Sequence, residues 1–176
     1  GKVLACWEAG LPTQISSDLT TVGPYDFDGK LQGPMTAHPK VDPITGELLF
    51  FGYIPGLRYY EADADGTITR SVAVELPPPV MIHDFAFTEN HVVFMDAPAV
   101  MDYESLMRGG PLVQWQPEYG TRIGILPRGN GGDQVQWFEV PNGYVVHFMN
   151  AFEEGSSVVA YGCRFDTMDF GAGTTD

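Results

Sequence analysis

The chain carries four histidines, His38, His83, His91 and His147. A neutral imidazole nitrogen binds a divalent transition metal strongly and leaves the metal's positive charge uncompensated, which favours an anionic or dioxygen-derived ligand at an open position. His38 and His83 stand 45 residues apart, and His83 and His147 stand 64 apart. Those gaps are far too long for a zinc-finger or HExxH arrangement, so a shared site would have to be assembled by the fold from separate strands. On spacing alone each histidine, taken singly, reads as a hydrogen-bonded core or surface residue rather than as a ligand. Glu153 and Glu154 stand side by side in "NAFEEG", but neighbours in extended chain point to opposite faces, so the pair reads as a surface turn rather than a paired acid site. Cys6 and Cys163 make neither a CxxC motif nor a disulfide framework, which points to a reducing compartment and a cytoplasmic setting.

The elements that must position these histidines are strands. Short apolar runs are punctuated by 21 Gly and 14 Pro, and hardly any window repeats apolar residues at helical spacing. "ELLFFGYI", "TITRSVAVEL", "HVVFMD", "RIGILP", "VQWFEV", "YVVHFM" and "SVVAYGCRF" are of strand length and rich in β-branched or aromatic residues. "DPITG", from Asp42 to Gly46, predicts a hairpin turn joining a "TAHPKV" strand to "ELLFFGY". "TEN", from Thr88 to Asn90, predicts another between "MIHDFAF" and "HVVFMD". One helical turn is expected between Pro98 and Gly110, ended by its glycines. The pattern is all-β, without a sharp repeat or a linker that divides it. Blades of a β-propeller take roughly 40–45 residues each, and their innermost strands pass the central axis, so residues about a blade apart can converge there.

Composition bounds the function. A hydrophobic fraction of 44% over 176 residues fills a core, and a net charge of −14 repels a phosphate backbone or an anionic membrane surface. Nucleic acid is therefore not expected as a partner. No run of 18 apolar residues and no leader pattern is present. The opening "GKVLAC" has no initiator Met and the closing "DFGAGTTD" shows no deliberate stop, so residues 1–176 are expected to be the central part of one longer domain.

Three segments carry a resemblance. "MTAHPKVDPITGELLFFGY", "MIHDFAFTENHVVFMD" and "VVHFMNAFEEG" resemble the ligand-bearing segments of the carotenoid cleavage oxygenases, in the family's order and rough spacing. "CWEAGLPTQISSDLTTVGPYDFDGKL" resembles the segment before the first ligand, so the similarity runs from about Leu4 to about Tyr161. The resemblance implies part of a seven-bladed antiparallel β-propeller, about four blades of it, around an axis bearing Fe(II). It implies cleavage of an electron-rich carbon–carbon double bond by O2 into two carbonyl products. His38, His83 and His147 fall on the first three of the family's four metal ligands, while His91 has no metal role and reads as a structural or exposed strand histidine. Glu8 matches a glutamate that accepts a hydrogen bond from the outer nitrogen of a ligating imidazole. No histidine follows His147, so the fourth ligand would lie beyond the chain, and the isolated segment is expected to be inactive. Trp7, Phe85, Phe87, Phe148 and Phe152 are candidates to line an apolar substrate tunnel, Trp7, Phe85 and Phe148 foremost.

The stilbene-cleaving branch places a phenol-recognising lysine where this chain has Trp7, which favours a carotenoid or apocarotenoid substrate over a hydroxystilbene. A lignostilbene-type dioxygenase, a non-oxidative isomerase or binding relative, and a plain all-β carbohydrate- or protein-binding domain are the alternatives. The expected partners are an apolar small molecule and O2, with peripheral membrane contact left to segments beyond this chain.

Overall fold

The computed structural model describes residues 1–76 and 78–169, and the tail from residue 170 lies outside the described residues. Among the described residues nearly all regular structure is antiparallel strand, as the alternating and β-branched runs require. No helix among them is long and apolar enough to cross a membrane. The chain divides into two compact units, Gly1–Glu75 and Leu76–Asp176, where no dividing linker was expected, and the sequence at the boundary carries the proline run Pro77 to Pro79.

In the first unit, β1 (Val3–Ala5), β2 (Thr13–Ile15) and β3 (Thr21–Pro24) form a small sheet in chain order. β4 (Lys40–Val41), β5 (Leu48–Gly52), β6 (Leu57–Ala62) and β7 (Ile68–Val74) form a four-stranded antiparallel meander, the arrangement of a propeller blade. The expected turn joins β4 to β5: the Gly46 N–H donates to the Asp42 carbonyl at 2.8 Å, with Gly46 at φ 76°. β5 is apolar on both faces because both are covered, its last four residues being buried. Phe27, Phe50 and Tyr60 form a stacked ladder with successive centroids 5.0 Å apart, joined by Leu31, Met35, Ala62 and Ile68. Opposite Arg70 on β7, the buried Glu61 accepts its guanidinium at 2.8 Å.

In the second unit, β8 (Ala86–Phe87) and β9 (His91–Asp96) make the expected hairpin around the Thr88–Asn90 turn. β10 (Ala99–Met101) and α1 (Tyr103–Met107) follow, then β11 (Val113–Trp115), β12 (Thr121–Pro127) and β13 (Gln136–Val140). β14 (Tyr144–Glu154) and β15 (Ser157–Phe165) pair as a long hairpin, and the four-stranded sheet has the order β13-β12-β9-β8. The helical turn is shorter than the span Pro98–Gly110. Ala99–Met101 is buried and pairs with β11 instead, and the helix begins at Asp102, whose carboxylate caps the Ser105 N–H at 2.8 Å. Gly109, at φ 82°, ends it. Asp96 is fully enclosed, and Arg122 Nε donates to it at 2.6 Å while the Tyr119 hydroxyl donates to both its oxygens at 2.9 and 3.0 Å.

Candidate metal centre

The second unit brings two of the four histidines together. Nε2 of His83 and Nε2 of His147 lie 3.2 Å apart, with the rings edge-on at 72°. Two nitrogens each about 2.1 Å from one ion are separated by about 3.0 Å at a right angle and about 3.4 Å at a tetrahedral one, so the pair fits two ligands of a single metal. Met95 and Tyr144 belong to a buried apolar cluster against which Met81, Val145, Val146 and Phe148 pack, while His147 itself is exposed and His83 half-buried.

His83 lies on irregular backbone ahead of β8, not in a continuous "MIHDFAF" strand. Ile82, Asp84 and Phe85 are all buried there, and the Asp84 carboxylate accepts the Phe148 N–H of β14 at 2.9 Å, a side-chain bond in place of a ladder. His147 sits in β14 where the register against β15 slips twice, between Val145 and Phe148 and again between Phe148 and Asn150. Such bulges bend a strand and re-aim its side chains.

His91 is held elsewhere. Its Nδ1 lies 3.0 Å from Glu153 Oε1, and the same carboxylate accepts the Thr88 hydroxyl, the Asn90 N–H at 3.0 Å and the Asn90 side-chain amide at 2.8 Å. These bonds, that to Thr88 first and those to Asn90 next, push the Glu153 carboxyl down to about 2. The expected opposition of neighbouring side chains holds, with Glu154 exposed. Glu153, however, is half-buried and joins β14 to the β8–β9 turn, a role not legible in a bare "EEG".

His38 is half-buried just ahead of β4 in the first unit, its N–H donating to Thr36 Oγ1 at 3.0 Å. Thr36 is fixed in turn by donating its N–H to the Phe51 carbonyl on β5 at 2.6 Å. Close passage of this segment over β5 depends on Gly52, where a Cβ would stand 2.2 Å from the Pro34 carbonyl oxygen. Glu8 is half-buried and accepts the Tyr53 hydroxyl at 2.6 Å. Tyr53 could not be singled out from the sequence, since a lone tyrosine after "FFG" reads simply as core. Trp7 is 58% exposed and lies over Gly10, Phe148 and Phe87 are half-buried, and Phe152 is exposed. Phe85 is fully enclosed, stacked on Phe94 with centroids 6.1 Å apart.

Comparison with known proteins gives the family. The retinal pigment epithelial membrane protein (RPE65) family matches residues 1–175. A carotenoid 9,10(9',10')-cleavage dioxygenase of Crocus sativus is 40% identical over 178 residues, covering 96% of this chain and 33% of that protein. Lignostilbene dioxygenase of Pseudomonas brassicacearum superposes with a TM-score of 0.85 at 38% identity, covering 91% of this chain and 35% of that one. Cobalt-substituted apocarotenoid oxygenase of Synechocystis gives 0.85 at 28% identity, covering 96% and 38%. The chain thus spans about a third of the length of the relatives it matches. With the family's sequence pattern running along residues 1–175 and solved oxygenases sharing the backbone, the chain belongs to the RPE65 family, the carotenoid cleavage oxygenases.

Proposed function

We propose that this chain is the central part of a non-haem Fe(II) dioxygenase that cleaves a carbon–carbon double bond of a carotenoid or apocarotenoid. The observation that carries the proposal is the 3.2 Å approach of two imidazole nitrogens in a member of this family. The resemblance of "MTAHPKVDPITGELLFFGY" to the family's first ligand segment assigns His38 as a further imidazole ligand. Glu8 is assigned to orient one of these rings through its outer nitrogen, and the Tyr53 hydroxyl steadies the Glu8 carboxylate.

Iron(II) held by neutral imidazoles supplies the redox chemistry by which O2 converts one double bond into two carbonyl groups, each product taking one oxygen atom. The protein's own part is to hold and to shield. The imidazoles leave the centre cationic, and the apolar residues flanking His147 in sequence, Val145, Val146 and Phe148, suit an apolar chain. Phe148 and Trp7 are assigned to substrate contact on this reading. Phe85, fully enclosed and stacked on Phe94, is assigned to the core rather than to substrate contact.

Cleavage of a hydroxystilbene is the second reading, favoured by the 38% identity to the lignostilbene dioxygenase against 28% to the apocarotenoid oxygenase. Trp7 at the expected place of a phenol-recognising lysine argues for the first. Full-length protein loaded anaerobically with Fe(II) is expected to bleach an apocarotenoid only after oxygen is admitted, and His83→Ala to abolish both iron retention and bleaching. Bleaching without oxygen, or with zinc in place of iron, would replace the oxygenase with an isomerase or hydrolase. Turnover of a hydroxystilbene alone would give the second reading.

A further inference from the structure

Resting on that reading and extending it, we propose that Asp84 is a positioning residue that sets the spacing of the His83 and His147 imidazoles. Asp84 directly follows His83, and Phe148 directly follows His147. The bond from the Phe148 N–H to Asp84 Oδ2, 2.9 Å long, therefore ties together the residues next to both rings. Asp84 is 3% exposed, so its acceptor oxygen is shielded from competing water, and a hydrogen bond in such surroundings is stronger than one at the surface.

Register supports a local role. The segment from His83 and the strand from His147 run in the same direction and in step, His83 meeting His147, Asp84 meeting Phe148, and Thr88 meeting Glu153 further on. From Asp84 to Thr88 is four steps, while Phe148 to Glu153 is five. The extra residue is accounted for by the second slip of β14 between Phe148 and Asn150. Phe148 thus lies between two irregularities of its ladder with β15, where the hairpin alone holds it least. Asp84 supplies the missing restraint at that point. The tolerance it must meet is narrow, because a metal site accepts ligand distances only within about ±0.2 Å.

The test uses the full-length protein and Co(II) as the probe. Asp84→Ala is expected to lower Co(II) affinity about 10–100-fold and to alter the ligand-field absorption, whereas Asp84→Asn, which keeps an acceptor oxygen at the same reach, stays within about threefold of the parent. Asp84→Ser, one bond too short to reach Phe148, is expected to behave as the alanine variant does and replaces it should the latter fail to fold. Parental Co(II) affinity and spectrum in Asp84→Ala or Asp84→Ser, with only the melting temperature lowered, would make Asp84 merely a satisfied buried acceptor and overturn the proposal. Should the parent bind no Co(II), the oxygenase reading itself fails. Selectively labelled histidine then decides on Asp84 separately. A ring-proton contact between His83 and His147 that is present in the parent and in Asp84→Asn, and lost in Asp84→Ser, upholds positioning; a contact retained in Asp84→Ser overturns it.

Discussion

Replacing Glu153 by glutamine is expected to loosen the β8–β9 turn at neutral pH and to do so far less in acid. The carboxylate accepts bonds from Thr88, from both nitrogens of Asn90 and from His91, and an amide would turn its NH2 toward some of these donors. Those bonds move the carboxyl from 4.5 to about 2, a preference for the ionised form with a ceiling near 3 kcal/mol at about 1.36 kcal/mol per tenfold. The side chain is 26% exposed and the cluster lies at a turn, so solvent screening reduces the contribution to about 1–2 kcal/mol. Because the folded-state value lies below the ordinary one, the stabilisation is complete above about pH 4.5 and is lost as pH falls through about 2. Amide hydrogen exchange at Asn90 in the full-length protein reads the local opening directly. Exchange in Glu153→Gln is expected about 5–30-fold faster than in the parent at pH 7, with the ratio closing toward one between pH 4.5 and 2. A ratio below about twofold at pH 7, or one that persists unchanged at pH 2, would refute the assignment.

Burial first, and then the charge of Asp96, push the Tyr119 phenol up to about 12. The ultraviolet difference between parent and Tyr119→Phe should therefore show no phenolate near pH 10, and its appearance there would mean that Tyr119 is not held against Asp96. Gly52→Ala is expected to cost about 1–3 kcal/mol in a urea titration, since its Cβ would stand 2.2 Å from the Pro34 carbonyl oxygen, a backbone atom that cannot swing aside. Gly56→Ala, with nothing within 4 Å, is the control, and equal losses at the two positions would refute the close approach.

The strands were legible because β-branched and aromatic runs bounded by Gly and Pro have few other solutions, and β5, β7, β9 and β12 to β15 all fall on such runs. The turns at Asp42–Gly46 and Thr88–Asn90 carried their own chemistry. Periodicity was a poor guide around Ala99, where burial against β11 outweighed helical spacing, and around His83, where a carboxylate replaced a ladder bond. His83 and His147 stand in segments long enough to be distinctive. Asp84 and Glu153 lie inside those same segments yet carry no mark of their own, because each acts through a hydrogen bond to a residue more than 60 positions away. Nothing local to "HDF" or "EEG" points to such a partner.

The two slips of β14 bear on how this strand can change length. Five steps along it, Val145 to Asn150, are matched by three along β15, Arg164 to Tyr161. Side chains alternate between faces, so each extra residue inverts the parity of everything downstream and the second inversion cancels the first. Tyr144 and Glu153 consequently keep the phase of an unbroken strand, while the stretch between Val145 and Asn150, which holds His147, is turned out of it. Losing both extra residues would preserve the outer phase and erase the excursion that presents His147. Losing only the second, at Met149, would carry Glu154 into the place of Glu153, so the doubled glutamate is a spare acid one residue out of frame.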